Sequence, residues 1–129
     1  DICVYAIRGK YPDIQKRIAA SSPERIKIPA IVKAELLTGA LRSHQADQAY
    51  SVVERFLSPF EIVPFDDACS VVYSQIRFDL EKKGHPIGPN DLLIVATALA
   101  HQGILITHNS KEFSRISDLK LQDWTNKVQ

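Results

Sequence analysis

The chain has 129 residues, 45% of them hydrophobic, which is enough for one packed core but hardly for two. Its net charge of +1 excludes nucleic-acid binding through overall charge alone, so such binding would need locally placed cations. No apolar run reaches the ~18 residues of a membrane-spanning helix, no signal peptide is visible, and the two cysteines lack metal-binding spacing. We expect a single domain, residues 1–129, in a reducing cytoplasm.

Helix and strand patterns alternate along the sequence. In chain order, we predict a helix over 12–20, a strand over 25–28, helices over about 29–43 and 45–57, a strand over 60–65, a helix over about 67–83, a helix over about 91–102, and strands over 104–107 and 119–121. Residues 2–7 are ambiguous by pattern. Asp66 is predicted to cap the helix over about 67–83, with Ala68, Val72 and Ile76 on its apolar stripe. This alternation predicts a parallel sheet covered by helices on both faces.

An acidic residue heads the otherwise apolar helix that follows Gly88. Asp91, Ile94, Val95 and Ala98 are spaced i, i+3, i+4 and i+7, so the carboxylate heads the stripe that should face the core. Because the helix is apolar almost all round, we expect it to be buried or to form an interface. The alternative for Asp91 is an ordinary first-turn acid that interacts with the helix dipole.

The strand after this helix is predicted to return to the helix start. The helix is roughly 16 Å long and the strand roughly 13 Å, and Gly103 is predicted to take the left-handed conformation that reverses the chain. In an open α/β sheet, ligands bind at the edge where such strands end. The residues expected there beside Asp91 are Thr107, His108, Asn109 and Glu112.

Glu35 is a second carboxylate, after Asp91, that is predicted to face an apolar surface near the start of a helix. Gly39, one turn later, costs about 1 kcal/mol in a helix, which suggests that another backbone or a ligand approaches there. Carboxylates converging on one edge would need a cation, and oxygen ligands favour Mg²⁺ or Mn²⁺ over zinc. The alternatives are that Glu35 extends to solvent and that Asn109 and Glu112 form a capping box.

Four blocks of this sequence resemble the PIN-domain toxins of VapC type, the ribonuclease half of toxin–antitoxin pairs. The blocks are DICVYAIRGK, IPAIVKAELLTGA around Glu35, GPNDLLIVATALA around Asp91, and ILITHNSKEFSRISDLKLQDW at the end. The resemblance covers nearly the whole chain. It implies a three-layer α/β/α fold with a central parallel sheet, whose acids bind Mg²⁺ or Mn²⁺ and hydrolyse RNA, structured RNA such as tRNA being the expected substrate.

The resemblance assigns roles to particular residues. Glu35 and Asp91 match two acids of the family by position, and Glu112 is the favoured further carboxylate. Asn109, which stands where many members have aspartate, is expected to bind substrate or to hold Glu112. Apart from the resemblance, His108 is a candidate contact to a substrate phosphate because it is expected beside Asp91, a solvated loop histidine being the alternative.

The start of the chain departs from the family pattern. Members usually begin with an apolar strand ending in D-T-N or D-T-D, followed by I-C-x-Y, and the first aspartate of the triplet is a metal ligand. Asp1 directly precedes Ile2, Cys3, Val4 and Tyr5, so it matches the third residue of the triplet. We therefore expect that the first strand and that ligand are missing from this sequence, substitution by Asp1 being the alternative.

Two kinds of partner follow from the resemblance, a cognate antitoxin and a second copy in a homodimer. A different function is a PIN-fold module that binds nucleic acid or regulates without turnover. The intact Glu35, Asp91 and Glu112 argue against that reading, whereas the missing first aspartate argues for it. A metal-dependent DNA nuclease is a third possibility.

Overall fold

The structure is a computed structural model that describes residues 12–107, 110–116 and 118–122. Its helices are α1 (Pro12–Ala20), α2 (Ala30–Leu41), α3 (Ala46–Leu57), α4 (Asp67–Lys82), α5 (Pro89–Ala100) and α6 (Ser110–Phe113). Its strands are β1 (Lys27–Pro29), β2 (Glu61–Val63), β3 (Ile104–Ile106) and β4 (Lys120–Gln122). In the described part of the chain, every helix is too short or too polar to cross a lipid bilayer.

The described strands form two parallel pairs, as the alternation of elements predicts. Lys27 of β1 lies opposite Glu61 of β2, and their side chains form an exposed ion pair of 3.0 Å. Ile104 of β3 lies opposite Lys120 of β4. The predicted strand over 25–28 starts too early, because Pro23–Arg25 forms a 3-10 turn in which the Arg25 N–H donates to the Ser22 carbonyl.

Helix α5 lies between two hydrophobic clusters. Ile94 packs against the first cluster, which α2 and α3 build around β1. Leu92 and Val95 belong to the second cluster, together with Leu80 of α4 and Phe113 of α6. No residue from 91 to 100 is exposed, which agrees with the first of the two expectations for this helix, that it is buried or forms an interface. The position of Asp91 is therefore fixed by packing on two sides.

The two ends of α4 follow the sequence signals closely. Asp66 is the predicted N-cap, and its side chain accepts a hydrogen bond of 3.1 Å from the Cys69 backbone N–H. At the other end, Gly84 takes a φ of 72°, the left-handed conformation of a glycine after a helix. Ala68 was expected on the apolar stripe but is exposed, and Cys69 is buried instead.

The predicted left-handed role of Gly103 is wrong, because Gln102 takes it. Gln102 has a φ of 56°. Its N–H donates to the Leu99 carbonyl at 3.1 Å, and the Gly103 N–H donates to the Ala98 carbonyl at 2.8 Å. This is the Schellman pattern, and it closes one residue earlier than the glycine predicts. The chain nevertheless reverses here and enters β3.

Candidate active site

Three carboxylates predicted from the sequence stand on three different helices. Glu35 lies in α2, Asp91 in the first turn of α5, and Glu112 in the short helix α6. All three residues are half-buried. Carboxylates are usually exposed unless they are paired or bind a cation, so three half-buried carboxylates suggest that they bind one ligand together.

Buried neighbours hold each carboxylate in place. Val32 and Leu36, on either side of Glu35 along α2, are buried in the first cluster. Phe113, which follows Glu112, is 3% exposed and anchors α6 in the second cluster. Just before α6, the Thr107 N–H donates to the Gln122 carbonyl at 3.0 Å, which ties the end of β3 to β4.

The electrostatics of Asp91 show that the acids are neighbours. Burial raises the pKa of its carboxyl above the usual value of 3.8, and the negative charges of Glu112 and Glu35 raise it further. Both glutamates therefore lie close enough for their charges to act on Asp91. The structure thus places Glu35 and Glu112 within electrostatic range of Asp91, and their role in one site stays a prediction.

The acids are not packed as tightly as a closed metal cage. Among the described residues, one group of three potential metal ligands has all its ligand atoms within 4.8 Å of one another. That group does not include Glu35, Asp91 or Glu112. An open arrangement of oxygen donors suits Mg²⁺ or Mn²⁺, because Mg²⁺ usually keeps several waters and takes only one or two carboxylates. A cation bound here would neutralise the repulsion that the charges of Glu112 and Glu35 exert on Asp91. The three acids therefore fit Mg²⁺ or Mn²⁺.

The surroundings of Glu35 correct one expectation. A Cβ added at Gly39 would meet nothing within 4 Å, and Gly39 is exposed. No described backbone therefore approaches this glycine. The open space leaves room for a ligand but does not identify one.

Three further candidates lie outside the described residues. They are Asp1, His108 and Asn109. The roles given to them, including the capping box between Asn109 and Glu112, stay predictions.

The sequence reasoning missed a cluster of Asp66, Cys69 and His101, whose potential ligand atoms all lie within 4.8 Å of one another. It sits at the far end of α5 from Asp91. The spacing of Asp66 and Cys69 on one helix face was a usable signal, but their approach to His101 depends on how α4 and α5 pack.

Substituting Asp91 with asparagine is expected to stabilise the protein slightly at neutral pH without divalent cations. The raised pKa means that the folded chain holds this proton more tightly than the unfolded chain. Ionisation of Asp91 therefore lowers the free energy of unfolding as pH rises from 3.8 through the folded-state pKa. Asparagine does not ionise, so the variant should have the higher free energy of unfolding at neutral pH. We expect the difference to be less than about 1 kcal/mol after allowance for solvent screening.

Urea unfolding across pH measures this difference. The advantage of Asp91→Asn should disappear below pH 3.8, where the carboxyl is protonated in both states. Adding Mg²⁺ at neutral pH should stabilise the unsubstituted protein more than the variant. An identical pH dependence in the two proteins would mean that Asp91 feels neither burial nor its neighbours.

Comparison with known sequences gives a consistent result. A family model described as "PIN domain" matches residues 2–119. The chain is 42% identical over 126 residues to "Ribonuclease VapC2" of Rickettsia felis, a match that covers 96% of this chain and 93% of that protein. It is 30% identical over 125 residues to "tRNA(fMet)-specific endonuclease VapC" of Shigella flexneri, with 97% and 94% covered.

Solved structures agree with these matches. VapBC2 from Rickettsia felis, bound to a DNA fragment from its promoter, contains a chain that is 40% identical and superposes with a TM-score of 0.89, covering 95% of this chain and 93% of that one. DNA-bound VapBC from Salmonella typhimurium gives a TM-score of 0.90 at 32% identity, covering 96% and 95%. These similarities confirm the predicted fold class.

Proposed function

The chain belongs to the PIN-domain family and groups there with the VapC ribonucleases, and from this premise we propose that it is a metal-dependent endoribonuclease toxin. It would hydrolyse phosphodiester bonds in RNA. The observation that carries the proposal is that two half-buried glutamates, Glu35 of α2 and Glu112 of α6, lie within electrostatic range of half-buried Asp91 of α5. Oxygen-rich acidic sites of this kind are suited to phosphoryl chemistry that depends on divalent cations.

We assign Mg²⁺ or Mn²⁺ to this site, held by Asp91 with Glu35 and Glu112, directly or through water. When bound, such an ion activates a water molecule and neutralises charge at the phosphate. The buried hydrophobic neighbours keep the three carboxylates in fixed positions, so little reorganisation is needed. Whichever carboxylate is not engaged by the ion can accept the proton of the attacking water.

RNA must approach an acidic centre, so cations around it should hold the phosphates. Arg115 is exposed three residues after Glu112. We assign a phosphate contact to Arg115, and contacts to the substrate to His108 and Asn109. Unpaired nucleotides can reach a recessed site better than a duplex can. Structured RNA such as tRNA is the proposed target, a choice supported by the name of the Shigella flexneri relative.

A cognate antitoxin is the proposed protein partner. Solved structures similar to this chain include three VapBC complexes, two of them bound to DNA. The described surface also carries large apolar side chains that a partner or a second copy could cover. The most exposed are Phe78 at 66%, Leu41 at 64%, Val71 at 53% and Ile104 at 51%. We propose that antitoxin binding suppresses cleavage and that the toxin also forms a homodimer.

Offering RNA and DNA of matched sequence to the same purified protein tests the proposed activity. With Mg²⁺ or Mn²⁺ present, we expect cleavage of structured RNA within an unpaired loop and none of the DNA. Adding the cognate antitoxin should suppress the cleavage. Cleavage of DNA alone would favour a DNA nuclease, and binding of RNA without cleavage of either polymer would favour the regulatory module.

A further inference from the structure

A group of potential metal ligands lies at the opposite end of α5 from the acids. Asp66 caps the start of α4, Cys69 lies in the first turn of α4, and His101 caps the end of α5. One ligand atom from each lies within 4.8 Å of the others. Ten residues of helix separate Asp91 from His101, or about 15 Å along the axis. The group is therefore separate from the candidate active site.

The donor atoms distinguish this group from the acids. It offers one sulfur, one imidazole nitrogen and one carboxylate oxygen, whereas the active-site acids offer oxygen alone. Thiolate and imidazole ligands favour zinc, and hard cations such as Mg²⁺ prefer oxygen. The two sites should therefore select different metals.

Local geometry leaves a free ligand atom on the aspartate. Asp66 uses Oδ1 to accept the hydrogen bond from the Cys69 N–H at 3.1 Å, while Oδ2 lies 3.6 Å from Nε2 of His101. That separation is long for a hydrogen bond. It lies at the upper end of the edge length of a tetrahedron with oxygen and nitrogen arms of about 2.0–2.2 Å, which is roughly 3.3–3.6 Å. A metal could thus bridge these two atoms while the helix cap stays in place.

Access and support are also suitable. Cys69 is fully buried, so its sulfur forms the floor of the site, whereas the side chains of Asp66 and His101 are 45% and 37% exposed and form the mouth. Three protein ligands leave a fourth position open to water, as zinc sites with three ligands do.

We propose that Asp66, Cys69 and His101 form a Zn²⁺ site that joins the start of α4 to the end of α5. Binding there ties the β2–α4 junction to the α5–β3 junction, so Zn²⁺ stabilises the folded chain. The site does not depend on the proposed ribonuclease activity, because none of its residues belongs to the acid cluster.

Cobalt serves as the probe, because a thiolate bound to Co²⁺ gives a near-ultraviolet charge-transfer band that carboxylate ligands do not give. The full chain is titrated with Co²⁺ in excess Mg²⁺, which occupies oxygen-only sites. We expect this band to saturate at one Co²⁺ per chain and to be displaced by Zn²⁺. Absence of the band at saturating Co²⁺ would overturn the proposal.

Four variants test which residues bind the Co²⁺ ion. Cys69→Ser should lose the band, and His101→Gln should bind Co²⁺ at least about tenfold more weakly. Cys3→Ser and His85→Gln are matched controls and should bind as the unsubstituted chain does. A band kept in Cys69→Ser, or an unchanged affinity in His101→Gln, contradicts the site. If Cys69→Ser fails to fold, His101→Gln still decides, because that side chain is partly exposed.

Discussion

Replacing Asp91 with asparagine is expected to lower kcat/KM for RNA cleavage by at least about a hundredfold, because the site loses the carboxylate that both other acids act upon. The amide has almost the same shape, so α5 should keep its packing. Leu92 and Val95, the buried residues that fix this turn, are untouched. The loss should therefore appear in the chemistry and not in the amount of folded protein. Initial cleavage rates on one RNA measure it.

The matched control is Asp47→Asn. Asp47 is also a first-turn acid, in α3, but it is exposed. This variant should cleave RNA at the unsubstituted rate, and circular dichroism should show both variants folded. Cleavage by Asp91→Asn at the normal rate would remove Asp91 from the active site and leave it as a helix-dipole acid.

Removing divalent cations is expected to reduce cleavage to background. Burial raises the pKa of Asp91, and the negative charges of Glu112 and Glu35 raise it further, so without a cation this acidic site would also repel the RNA phosphate. Adding excess EDTA should stop the reaction, and adding Mg²⁺ or Mn²⁺ beyond the chelator should restore it. The measurement is the cleavage rate against free cation concentration.

Chelation could also remove Zn²⁺ from the proposed site at Asp66, so the fold must be followed in the same samples. His101→Gln supplies the control, since its cleavage should respond to EDTA and Mg²⁺ as the unsubstituted protein does. Cleavage that persists in EDTA would contradict the proposed metal chemistry, whatever the state of the fold.

Periodicity predicted much of what positions the acids. The stripe through Ile94 and Val95 placed Asp91 toward the core, and the structure finds the carboxylate half-buried with a raised pKa. Glu35 was placed by the same reasoning, and Asp66 was predicted as a cap from its residue type. These features are local, because each depends on one helix and its flanking residues.

Two features were not predicted, one at the end of a helix and one where two helices meet. Gln102 takes the left-handed position because the hydrogen bonds that end α5 close one residue before Gly103. The cluster at Cys69 forms because the end of α5 packs beside the start of α4, which no spacing within either helix encodes. Residues 2–7, which the pattern left ambiguous, lie outside the described residues.

The two proposed sites give α5 a metal-binding residue near each end. Asp91 serves an oxygen-only site at its start, and His101 serves a sulfur- and nitrogen-containing site after its last residue. Because the donors differ, Mg²⁺ or Mn²⁺ and Zn²⁺ should partition between them. The acid site is the one on which the proposed function depends.

Binding of Mn²⁺ at neutral pH, followed by electron paramagnetic resonance of the free ion, tests that dependence most directly. The unsubstituted protein should bind Mn²⁺ with the same affinity as His101→Gln, and Asp91→Asn should bind it at least about tenfold more weakly. Equal Mn²⁺ affinity in the unsubstituted protein and Asp91→Asn would contradict the assignment of the three carboxylates to a metal centre.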